Sequence, residues 1–126
     1  GHETYEDLKA MIQQEADNLG VRVSFFQSNH EGALVDAIQQ AYFDKADGII
    51  INPGAYTHTS IALLDAVKAV RIPTVEVHIS DPDTREEFRH TSYIRAACTA
   101  TIRGHGLAGY VEALRLLCGT QASAPI

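Results

Sequence analysis

Residues 48–51, Gly48-Ile49-Ile50-Ile51, leave this chain few architectures. A short apolar, β-branched run bounded by glycine and proline reads as a strand buried on both faces. Strands of that kind belong to parallel sheets covered by helices on both sides, joined by right-handed crossovers. The rest of the chain repeats the alternation. Tyr5, Leu8, Ile12, Ala16 and Leu19 recur at helical spacing over residues 4–18, with Thr4 and Asp7 placed to cap the start and Gly20 to stop it. An apolar, aromatic run over residues 21–26 predicts a strand. Leu34, Ala37, Ile38 and Ala41 stripe a helix over residues 31–44. A helix over 60–70 closed by Pro73, a strand over 74–79, and an irregular polar stretch with one short helix over 80–93 follow. A strand over 98–102 and a helix over 107–117 complete the pattern, and residues 119–126 are expected to form a loose tail.

The expected fold class is therefore α/β, a three-layer, doubly wound parallel sheet in a single domain spanning residues 1–126. Every later helix follows a strand, whereas the first does not. A doubly wound sheet needs a central strand from which the strand order reverses. The pattern thus predicts that a first, central strand lies ahead of Gly1, outside the 126 residues.

Charge and composition exclude several function classes. The formal net charge is −6, and the ten Lys and Arg residues never form a run, which argues against a nucleic-acid partner. No apolar run approaches the roughly 18 residues of a membrane span. The polar, acidic opening Gly1-His2-Glu3-Thr4 does not read as a signal peptide. Cys98 and Cys118 fit no metal or redox spacing, so both read as small apolar residues of a reducing compartment, and the expected location is the cytoplasm. No His-x-x-x-His or cysteine pair suggests a metal, and no glycine-rich phosphate loop suggests a nucleotide. Lys9, Lys45 and Lys68 fall in or at the ends of helices, away from a position suited to a Schiff base. No cofactor is expected.

In open parallel sheets, ligands bind outside the carboxyl ends of the strands. The exits are residues 27–32, residues 52–60, residues 80–81 and residues 103–106, and four of the six histidines lie at or next to them. In Thr74-Val75-Glu76-Val77-His78-Ile79-Ser80, alternation puts Glu76, His78 and Ser80 on one face. A carboxylate beside an imidazole fixes its tautomer and favours the imidazolium, a proton donor near neutral pH. The spacing fits a structural Glu–His pair equally well. The amides of Ile79 and Ser80, with the Ser80 hydroxyl, can grip a carboxylate without net positive charge, although Ser80 also suits a simple loop cap. Asn52, held before Pro53, can bind a water or a developing oxyanion, or make an Asx-turn. His58 sits in a Thr/Ser-rich helix entry where Thr57 or Thr59 can cap. Arg89 follows the apolar anchor Phe88, while Asp65, one turn after Ile61, reads as exposed or as part of a subunit contact.

Taken together, Phe25-Phe26-Gln27-Ser28-Asn29-His30-Glu31-Gly32, Ile51-Asn52-Pro53-Gly54-Ala55-Tyr56-Thr57-His58-Thr59-Ser60, Glu76-Val77-His78-Ile79-Ser80 and Arg85-Glu86-Glu87-Phe88-Arg89-His90 resemble the type II 3-dehydroquinate dehydratases. Gly106-Leu107-Ala108-Gly109-Tyr110 is similar to that family's last helix, so the resemblance runs from Tyr5 to Leu117. It implies a flavodoxin-like fold and reversible anti elimination of water from 3-dehydroquinate through an enolate, without metal or Schiff base. By position it implies His78 as general acid oriented by Glu76, and Asn52 as holder of the water that stabilises the enolate and as a contact to the substrate itself. His58 and Arg89 would bind substrate hydroxyls, and the Ile79 and Ser80 amides its carboxylate. Asp65 resembles a residue offered by a neighbouring subunit of a dodecamer, a tetramer of trimers. The resemblance also implies a proton-accepting tyrosine, with a lid arginine, on about two dozen residues ahead of Gly1. Asp81-Pro82-Asp83 departs from the family's usual asparagine. Two rivals stand beside the enzyme reading. A non-catalytic flavodoxin-like binding protein or inactive relative would keep the pocket, and a receiver-like signalling domain lacks its clustered acids here.

Overall fold

A computed structural model describes residues 4–79 and 92–123, without the side chains of Ala55, His58 and residues 120–123. Helix α1 spans Tyr5–Leu19 and begins with a capping box: Thr4 accepts from the Asp7 amide while Asp7 accepts from the Thr4 amide. Gly20 ends it in the left-handed conformation, as its sequence position predicts. Helix α2 spans Glu31–Phe43, strand β1 Ile49–Ile51, helix α3 Ile61–Val70 and strand β2 Thr74–His78. Strand β3 runs Ala100–Arg103 and helix α4 Ala108–Ser123. Among the described residues, short 3₁₀ helices at Gly54–His58 and Ile94–Ala97 stand ahead of α3 and β3.

The described sheet is parallel, in the order β1-β2-β3. Ile51 pairs with Glu76, and His78 pairs with Arg103. Period-two alternation sends Val75 and Val77 to one face, where they pack with Ala113 and Leu117 of α4. α1 joins that side through Ile12 and Ala16 against Leu114. Ile51 faces the opposite layer, built by Ile38 of α2 and by Leu63, Ala66, Val67 and Val70 of α3. Helices on both faces give the three layers that the Ile49-Ile50-Ile51 run requires.

Three expectations change. Residues 21–26 form no strand ladder. Val21 and Val23 are half-buried against the α1–α4 cluster while Arg22 and Ser24 are exposed, which is strand-like alternation. A ladder also needs a neighbour at about 4.8 Å to exchange hydrogen bonds, and the described residues place none there. Second, α4 continues to Ser123, so residues 119–123 are helical rather than a loose tail. Each added residue gains a backbone hydrogen bond once the helix is nucleated, and Leu117 and Cys118 still have core to cover. Third, the cap of α3 is Ser60, which accepts from the Leu63 amide at 3.0 Å, rather than Thr57 or Thr59. The short helix expected within 80–93 falls largely outside the described residues.

Leu63 has no exposed surface and sits at the centre of the α2–α3 layer. Leu63→Ala should cost about 3 kcal/mol through lost burial and a residual cavity, read as a lowered denaturant midpoint at unchanged m.

Candidate active site

All five residues of β2 are buried, and among them Glu76 is a carboxylate with no exposed surface. A buried charge survives only if its lone pairs are satisfied. Glu76 accepts from His78 Nε2, from Ser92 Oγ at 2.8 Å and from Thr101 Oγ1 at 3.2 Å. Arg95 Nε stands 3.7 Å away, buried and without a hydrogen bond of its own among the described residues. Thr101 is there because the parallel register sets it beside Glu76, on the same face. Burial pushes the Glu76 carboxyl up, but hydrogen bonds from His78 and Ser92, with the charges of His78 and Arg95, outweigh it and hold the group below its ordinary value.

This arrangement assigns the imidazole. A carboxylate only accepts, so the Nε2 of His78 carries the proton that faces Glu76, and Nδ1 has no partner among the described residues and is the ring atom able to exchange a proton with a ligand. His78 is 8% exposed, at the last position of the strand, so the ring lies against the tip rather than in the core. Cys98 lies near the same carboxylate. Burial, reinforced by the Glu76 charge and opposed by Arg95, pushes its thiol up to about 12, so it stays protonated and does not act as a thiolate nucleophile.

Asn52 follows the last residue of β1, is exposed, and uses both ends of its amide. Its Oδ1 accepts from the Gly54 amide at 3.1 Å, an Asx-turn, and its Nδ2 donates to the Tyr110 hydroxyl of α4 at 2.8 Å. Because α4 covers the Val75 and Val77 face, Asn52 is held from one side of the sheet while Glu76 and His78 project to the other.

The exit loops are tied to one another above the strand tips. Tyr56 Oη donates to the Asn29 carbonyl at 3.0 Å, joining residues 27–32 to residues 52–60. The Tyr93 amide donates to the Thr57 carbonyl at 3.0 Å. The amides of Gly104 and Gly106 donate to the carbonyls of His78 and Ile79 at 3.2 and 3.0 Å. Gly104 and Gly106 adopt φ of 80° and 61°, conformations that cost an L side chain roughly 1–2 kcal/mol, and so carry the ladder past His78 while turning into α4. The expected convergence of strand exits on one edge is present in these bonds.

Of the sequence-predicted residues, His78 and Asn52 stand at adjacent strand ends, and Glu76 lies two residues inside β2 from His78. The His58 backbone closes the 3₁₀ turn beside Asn52. Ile79 is 46% exposed at the tip. Asp65 is exposed on α3, and no hydrogen bond or ion pair among the described residues joins it to this cluster. Ser80 and Arg89 lie outside the described residues. Sequence reasoning missed Ser92, Arg95 and Thr101 around Glu76, and Tyr110 on Asn52. A register of β2 against β3 would have found Thr101. Nothing in spacing alone points to the other three. Among the described residues no group of three His, Cys, Asp or Glu side chains is placed to hold a metal, and no helix is long and apolar enough to cross a membrane.

The family described as dehydroquinase class II matches residues 1–118. A 3-dehydroquinate dehydratase of Caldicellulosiruptor bescii is 57% identical over 117 residues, spanning 93% of this chain and 81% of that protein. One from Corynebacterium glutamicum is 54% identical over 117 residues, spanning 93% of this chain and 80% of that protein. The crystal structure of a type II dehydroquinase from Butyrivibrio crossotus superposes with a TM-score of 0.90 at 50% identity, over 93% of this chain and 81% of that one.

The lowered Glu76 carboxyl links the site to folding. A carboxylate held below its unfolded value contributes stability above that value and loses it as pH falls through the folded one. Acid unfolding of wild type should therefore steepen below about pH 4.5, the ordinary value for Glu. Glu76→Gln should flatten that limb, and identical acid limbs in the two proteins would contradict the account.

Proposed function

This chain belongs to the class II dehydroquinase family, and from that membership and the strand-tip geometry we infer that it catalyses the reversible dehydration of 3-dehydroquinate to 3-dehydroshikimate. The flavodoxin-like fold is shared with solved type II dehydroquinases. The observation that carries the chemical reading is the buried Glu76–His78 pair of β2, its carboxylate hydrogen-bonded by three side chains and one ring nitrogen of His78 without a partner among the described residues.

The reaction removes a proton from the carbon beside the ketone, forming an enolate, and then expels the β-hydroxyl. Hydroxide leaves poorly, so the departing oxygen needs a proton. His78 Nδ1 supplies it and water leaves, while Glu76 holds the ring and stabilises the charge that the imidazolium carries before transfer. Asn52 offers an amide N–H to the enolate oxygen, directly or through a water. His58 and Arg89 take substrate hydroxyls, and the Ile79 and Ser80 amides take its carboxylate. The proton acceptor that the family resemblance implies, a tyrosine, is assigned to none of the 126 residues. No step calls on a metal, Schiff base or other cofactor, and the elimination is anti.

The assembly we propose is a dodecamer, a tetramer of trimers in the cytoplasm, in which Asp65 reaches the site of a neighbouring subunit. Its exposure on α3, away from its own strand tips, supports that role. The formal charge of −6 supports a reading in which local donors rather than a basic surface recognise the anionic substrate.

The assay follows the ultraviolet absorbance of the enone product in the natural full-length protein. His78→Ala should lower kcat by about 10²- to 10⁴-fold, the range for loss of a general acid. An unchanged rate would remove His78 from the mechanism, and an inactive wild type would favour the non-catalytic binding protein.

A further inference from the structure

Asn52 is exposed, yet its amide is tethered to a residue 58 positions away. A surface asparagine with only the Gly54 contact would be free to swing its nitrogen. Here the two ends are set by different parts of the fold. Gly54 offers a donor, so it selects the oxygen of the carboxamide. Tyr110 then receives the nitrogen at 2.8 Å, and its ring is lodged between the α4–sheet cluster and the α1–α4 cluster. The position of the phenol oxygen is therefore set by the core on two sides. The carboxamide nitrogen has two hydrogens, and Tyr110 takes one. Among the described residues the second has no partner.

We propose that Tyr110 is a positioning residue for the dehydration: its hydroxyl locks the Asn52 carboxamide in the orientation that presents one N–H to the substrate or its enolate oxygen. The proposal rests on the role given to Asn52 above and adds the group that makes the role possible. Burial holds the Tyr110 hydroxyl above its ordinary value, with the Asn52 hydrogen bond pulling the other way, so Tyr110 stays neutral and does not compete as the proton acceptor. A half-buried tyrosine hydroxyl gains from a partner for structural reasons as well. The two roles separate in kinetics. A purely structural hydroxyl affects stability alone, whereas a positioning one affects the step in which the enolate forms.

The experiment is a double-mutant cycle in the natural full-length protein, with kcat and KM measured for wild type, Tyr110→Phe, Asn52→Ala and the double variant. Tyr110→Phe keeps the ring and its packing. Its kcat should fall about tenfold, the scale of one hydrogen bond, with KM changed less than about twofold. The double variant should be no slower than Asn52→Ala alone, because the tether has nothing left to hold. A wild-type kcat for Tyr110→Phe, or losses that multiply, overturns the proposal. A measurement on the unmutated protein guards against a variant that does not fold. The side-chain amide protons of Asn52 should show one hydrogen protected from exchange with water and one exposed, and rapid exchange of both also overturns it. A wild type without dehydratase activity would sink the reaction and not the tether, which amide exchange tests by itself.

Discussion

A carboxylate in the middle of the central described strand, without exposed surface, is the constraint from which the rest of this molecule can be read. Moving such a charge out of water costs several kcal/mol after relaxation, and only well-placed donors offset that. Glu76 gathers its donors from its own strand, from the neighbouring strand and from the segment ahead of the second 3₁₀ turn. Ser92 and Thr101 are points at which separate pieces of chain are fastened to β2. Withdrawing one donor leaves a lone pair unsatisfied at a cost of roughly 1–3 kcal/mol. The carboxylate is thus an assembly point as well as an orienting group. The imidazole at the tip takes its tautomer from the same carboxylate that ties Ser92 and Thr101 to the strand.

The second organising fact is that the two chemical groups approach the edge from opposite layers. His78 belongs to the face shared by Glu76, Ser92 and Thr101, and Asn52 is held by α4 on the other. A ring lying across the tips would meet a proton donor on one side and an amide on the other. On the proposed mechanism, that is a geometric basis for acting on two ends of one elimination. The exit loops provide the frame, because their mutual hydrogen bonds keep the tips at a common height.

Much of this was legible in the order of residues. The Ile49-Ile50-Ile51 run required helices on both faces, and α2 with α3, and α1 with α4, supply them. Thr4, Asp7 and Gly20 marked the first helix because capping is local chemistry. Period-two alternation placed Glu76 and His78 together for the same reason. The failures are non-local. Residues 21–26 have the composition and alternating burial of a strand, but pairing depends on a neighbour that no run of six residues specifies. Thr101 reads as an ordinary β-branched residue until the register of two strands is known. Tyr110 lies 58 positions from the amide it holds. Ser60 displaced Thr57 and Thr59 as the cap because a 3₁₀ turn intervenes, and three candidate hydroxyls in four residues give composition no way to choose.

The glycines on either side of His105 divide evolutionary freedom unevenly across the rim. Their backbone angles penalise any side chain at 104 or 106, so drift at those two places is discouraged whatever the ligand demands. Position 105 carries no such restriction, and His105 reaches outward to Glu112. Lineages in search of a different reach over the sheet tips, or engineers with the same aim, would find their first tolerated variation there, one residue inside a rigid bracket.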